Sequence, residues 1–136
     1  MGMFGLLVIL TLSISFATAV EFAERARLRK LLDRVDTEAI WRDCFPEVPA
    51  DEIRSFLVLF AESFAIDPTY CFKFAPDDQP SAIYEARYVP HLTVDDHCEF
   101  ESLTDALASR HRIDLQAVWR DDITLGELFT MTRKDS

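Results

Sequence analysis

A chain of 136 residues with a formal net charge of −10 has room for one small domain and one appendage. Fourteen basic side chains against twenty-four acidic ones make a surface that repels phosphate backbones, so nucleic acid is excluded as an expected partner. Gly126 is the sole glycine after Gly5, so the glycine-rich loops that cradle nucleotide phosphates have no place here.

The first charged side chain is Glu21. Residues 1–20 form an uncharged stretch that, as a helix, spans roughly 30 Å, one hydrocarbon core. Thr11, Ser13, Ser15 and Thr18 are its hydroxyl residues, and such groups bond back to helix carbonyls. Five basic residues (Arg25, Arg27, Arg29, Lys30, Arg34) follow within Glu21 to Arg34, and none precedes the apolar run. The positive-inside rule then predicts a single-pass anchor in the inner (cytoplasmic) membrane, with the soluble part in the cytoplasm. Ala17-Thr18-Ala19 keeps a second reading open, export after signal cleavage at Ala19. The helix is expected to run on to about Arg34, with Phe22, Ala26, Leu28, Leu31, Leu32 and Val35 on one face.

A short helix is expected from Asp36-Thr37 to Cys44, ended by Pro46 and Pro49. Asp51 is placed to cap a longer one in which Ile53, Phe56, Leu57, Phe60 and Phe64 share a face. Residues 69–94 read as a long irregular connection holding one short helix or strand, because CFKF and IYEARYV alternate while Pro76, Pro80 and Pro90 break them. Thr93 or Asp95 is expected to cap a helix reaching about Ser109, with Cys98, Phe100, Leu103, Ala106 and Leu107 apolar. Ile113 to Trp119 fits a short helix. In the last one, Thr124 and Glu127 have the spacing of a capping box, Ile123 is set to staple onto Leu128, and Leu125, Leu128 and Phe129 point inward. The divisions are a transmembrane segment over 1–20, a juxtamembrane helical linker over 21–46 and an acidic helical domain over 47–136.

The stretches DEIRSFLVLFAESFAID, VDDHCEFESLTDALASRHRIDL and DDITLGELF follow the helix order of an acyl carrier protein. More narrowly, the chain resembles a family of uncharacterised small bacterial proteins related to carriers, over about Pro49 to Lys134. The resemblance implies an all-α, acyl-carrier-like helical bundle. It also implies an acidic second helix (Asp95, Asp96, Glu99, Glu101, Asp105) offered to the basic surface of a protein partner. Carriers hold phosphopantetheine on the Ser of an Asp-Ser-Leu triplet, and the matching positions here are Asp96-His97-Cys98, without that Ser. The resemblance therefore implies the shape without the prosthetic arm, hence no cofactor.

Other chemistry finds weaker patterns. His91, Asp95, Asp96, His97, Cys98 and His111 are candidate metal ligands, but adjacent His97 and Cys98 would diverge by about 100° on a helix. Cys98 beside His97, or Cys71 with a distant His, would be nucleophile candidates, yet Cys98 is expected to be buried. The reading is a membrane-anchored, non-catalytic interaction module. A functional acyl carrier or acyl-chain binder is one alternative, and an immunity- or antitoxin-type inhibitor masking a basic toxin surface is another.

Overall fold

The computed structural model describes residues 2–88 and 98–134, and every regular element among them is helical. The first, α1 (Met3–Leu32), is an unbroken helix of 30 residues, about 45 Å long. Its N-terminal part stands clear of the rest: Leu6, Leu10, Ile14 and Phe16 are exposed, and the helix is long and apolar enough to cross a membrane. That same length and position fit a signal sequence. Thr11, Ser13 and Thr18 donate their hydroxyls to carbonyls three or four residues back, so these three side chains are satisfied within the helix.

The C-terminal part of α1 joins the hydrophobic core through Leu28, Leu31 and Leu32. The expected stripe is shorter than the spacing suggested. Phe22 and Val35 are exposed, because α1 ends at Leu32 and its packed face turns toward the domain only in its last two turns. There α1 packs on α4 (Pro80–Arg87). Arg27 fixes the seam by donating from Nη1 to the carbonyls of Glu85 (2.9 Å) and Tyr88 (3.2 Å).

Next comes α2 (Glu38–Cys44), which buries Trp41 completely. The Trp41 indole donates to the Phe74 carbonyl at 2.7 Å, and the buried Thr37 hydroxyl lies 2.7 Å from both the Phe72 and Phe74 carbonyls. Helix α3 (Ala50–Ser63) forms the centre, with Ile53, Phe56, Leu57 and Phe60 inward as the spacing predicted. Its cap is Pro49, however, and Asp51 lies in the first turn. Pro49 has the extended φ/ψ of a cap and its carbonyl accepts from Glu52, so the helix starts earlier than a side-chain cap at Asp51 would allow. Asp51 still favours the N-terminal dipole.

At its other end α3 closes in a Schellman arrangement. Ile66 N–H donates to Ala61 O (2.8 Å) and Ala65 N–H to Glu62 O (3.2 Å), with Ala65 at φ 55°. A 3-10 segment, Pro68–Lys73, and then α4 occupy the stretch whose aromatics had suggested strands. Each begins on a proline in its first turn, where the missing N–H costs nothing. The turn between them ties distant parts together. Asp78 takes the Arg34 guanidinium (2.8 Å) and the Ala75 amide (2.7 Å), while its carbonyl and that of Pro76 accept from Leu125 and Gly126 (2.8 Å each).

Three helices complete the domain: α5 (Cys98–His111), α6 (Leu115–Val118) and α7 (Leu125–Lys134). The expected caps Thr93 and Asp95 lie outside the described residues. In α7 the capping box forms as the spacing predicted: Glu127 N–H donates to Thr124 Oγ1 (3.1 Å) and Thr124 N–H to Glu127 Oε2 (3.4 Å). Ile123, Leu125, Leu128 and Phe129 are buried. Phe129 meets Trp41, Phe45 and Phe56 with ring centroids 4.9–5.8 Å apart, so α2, α3 and α7 share one aromatic cluster.

Candidate functional site

A second line of aromatic rings leads out of the core instead of filling it. Phe74, Phe60 and Phe64 are fully buried, and Phe64 meets Phe100 edge to face at 5.5 Å. Phe100 in turn contacts Tyr84 on α4 (5.1 Å) and Trp119 after α6 (5.3 Å). These last three rings are only partly buried. They form the floor of a groove of about 940 Å³ between α4, α5 and the α6 region.

The groove's rim has one sign of charge. Glu85 comes from α4, Glu101 and Asp105 from α5, and Asp121 from the turn before α7. No lysine, arginine or histidine lines it among the described residues. Helix geometry explains the acid pair on α5: Glu101 and Asp105 are four residues apart and so share a face, next to Phe100 and Thr104. Opposite it, Leu103 and Leu107 are fully buried against α3, which sets the rotation of α5 and turns its acids outward. Four carboxylates around low-dielectric aromatic walls focus a negative potential into the groove.

Of the acids expected on this helix, Glu101 and Asp105 are exposed and line the groove. Glu99 is half-buried and accepts a hydrogen bond from the Tyr88 hydroxyl, so it links the end of α4 to α5. Burial, reinforced by that bond, pushes the Tyr88 phenol well above its usual range. Asp95 and Asp96 lie outside the described residues. So do His91 and His97 of the metal candidates, and among the described residues no cluster of three or more His, Cys, Asp or Glu is placed to hold an ion.

The cysteines depart from expectation in one respect. Cys98 is exposed, not buried. It opens α5 five residues before Leu103, which places it about 140° around the helix from the buried face. Cys71 is buried, and burial pushes its thiol up, against formation of a thiolate. His111 is half-buried, and burial, aided by the Arg110 charge, lowers it. Two further turn carboxylates have structural partners: Asp78 ties the central turn, and Asp122 pairs with Arg120 at 3.2 Å.

Sequence reasoning did not find Tyr84, Glu85, Trp119 or Asp121 as groove residues. Tyr84 and Glu85 fall in the stretch that reads as an irregular connection with one short helix or strand, and Trp119 closes a short expected helix with no local sign of what it faces. A helix-starting Pro80 with Tyr84 four residues later was the available signal, but nothing local says that α4 faces α5. Compared with known proteins, the chain matches no family model, and neither a curated protein nor a solved structure matches it.

Proposed function

We propose that this chain is a membrane-anchored, non-catalytic interaction module whose acidic face receives the basic surface of a protein partner. The observation that carries this reading is the groove itself, an aromatic floor with four carboxylates on its rim and no cation among its described lining residues. Aromatic rings left partly exposed are the anchors that protein interfaces use, and single-sign charge speeds and selects encounters. The anchor is α1, crossing the inner membrane through residues 1–20. The basic cluster from Arg25 to Arg34 favours a cytoplasmic domain.

A carrier-like fold is part of the proposal. It is supported by the order of α3, a long connection, α5, the short α6 and the capped α7. His97 stands where a carrier has its serine and offers no hydroxyl, which argues against a phosphopantetheine arm. The intact mass of protein isolated from its native membranes tests both points. A full-length, unmodified mass is expected. Loss of residues 1–19 would overturn the anchor, and an added phosphopantetheine would overturn the non-carrier reading. Leu10→Arg should also move the chain from pellet to supernatant on alkaline carbonate extraction, since a charge mid-span costs about 2.5–3.5 kcal/mol.

A further inference from the structure

We infer that the groove between α4, α5 and the α6 region takes an amphipathic basic helix from the partner protein. Its apolar face would lie on Tyr84, Phe100 and Trp119, with lysines or arginines reaching Glu101 and Asp105 on one side and Glu85 and Asp121 on the others. This inference rests on the acidic-module reading and names the occupant of its site.

Three properties of the groove select that occupant. Its charge rejects anionic ligands, phosphates included. An uncharged acyl chain would cover the rim carboxylates without pairing them, and burying an unpaired carboxylate is costly. A small cation would satisfy the rim but leave most of a space of about 940 Å³ and its aromatic floor unused. A chain that is apolar on one side and cationic on the other satisfies both.

The backbone argument decides its conformation. The walls come from helices, whose mid-helix amides and carbonyls bond along their own chain, and no sheet edge exists among the described residues. An extended peptide laid on aromatic rings would find no strand edge there to pair its main chain along its length. A helix brings its backbone hydrogen bonds with it and presents anchors at i, i+3 or i+4, and i+7.

The test uses the full chain in nanodiscs of zwitterionic lipid. The probe is a Leu/Lys peptide of about eighteen residues with leucines on one helical face, alongside a scrambled peptide of identical composition. Carbodiimide joins peptide lysines to nearby carboxylates, and mass spectrometry maps the sites, so peptide bound only to lipid gives no signal. Crosslinks at Glu101 and Asp105 should exceed those of the scramble by about tenfold, a difference of roughly 1.4 kcal/mol. Ala82→Arg should abolish the excess, because Ala82 is exposed and lines the groove, so the new side chain fills it without disturbing the core. Equal labelling of the groove by the scramble would overturn the helix inference and leave the acidic module standing. Crosslinks spread evenly over all surface acids, or unchanged in A82R, would remove the groove as the site. Absence of crosslinks to either peptide would overturn both readings.

Discussion

Gly126 lies directly against Pro76: its amide donates to the Pro76 carbonyl at 2.8 Å, and a β-carbon on it would stand 3.0 Å from that same oxygen. The oxygen is main chain, in a turn held by Asp78, so it has little freedom to retreat. Gly126→Ala should therefore destabilise the fold even though alanine favours helices. The expected cost is about 1–2 kcal/mol, read as a lower urea midpoint at unchanged slope. A midpoint equal to or above wild type would show that the turn yields.

Ala65 presents the opposite case. It sits in the left-handed region at φ 55°, is exposed, and closes the Schellman turn after α3. Glycine suits that position without strain, and the left-handed conformation costs other residues roughly 1 kcal/mol. Ala65→Gly should stabilise by up to about 1 kcal/mol, with part of the gain lost to greater freedom of the unfolded chain. Thermal unfolding would show the rise directly.

Phe74's carbonyl has two donors, the Trp41 indole and the Thr37 hydroxyl, and the second is shared with Phe72. Thr37→Val alone leaves each carbonyl one partner, since the Thr37 amide still donates to Phe72 at 2.7 Å. Its cost should be near 1 kcal/mol. In a Trp41→Phe background the same change strips the Phe74 carbonyl of both donors, and its cost should rise. A double-mutant cycle that gives simple additivity would contradict this coupling.

His111 makes stability depend on pH with a definite sign. Burial and the Arg110 charge hold its folded-state pKa below the ordinary value of about 6.5. The unfolded chain then binds a proton that the folded one refuses. This contribution is complete above about pH 6.5 and is lost as pH falls from there through the lowered value. Compared with His111→Gln, the wild type should lose ground in urea melts between about pH 8 and about pH 5. Parallel curves for the two proteins would rule out the linkage.

Where a short local rule decides the structure, the sequence is a good guide. Thr124 and Glu127 need only each other to form their box, and Ile53, Phe56, Leu57 and Phe60 announce the buried face of α3 by period alone. The end of α1 was less legible, because whether Phe22 or Leu28 is covered depends on where α4 lies. Cys98 looked apolar by type, yet the rotation of α5 is fixed by Leu103 and Leu107. The groove was hidden for the same reason. Its floor draws one ring from each of three segments, and only Glu101 and Asp105 share a local pattern. Tertiary packing, not propensity, brings Tyr84, Phe100 and Trp119 together.

The grip of Arg27 on the carbonyls of Glu85 and Tyr88 leaves no swivel between stem and head. From Met3 to Leu32 the backbone is one helix, and α4, a wall of the groove, is clasped to its lower turns. Compass bearing and height of the groove relative to the start of α1 are thus set by helical phase. One residue inserted after Val20 would rotate that face by about 100° and raise it about 1.5 Å, while seven would bring it nearly back to its starting direction some 10 Å higher. If α1 crosses a membrane as proposed, a partner fixed in the same bilayer would lose register with the first insertion and meet the right face again, out of reach, with the seventh.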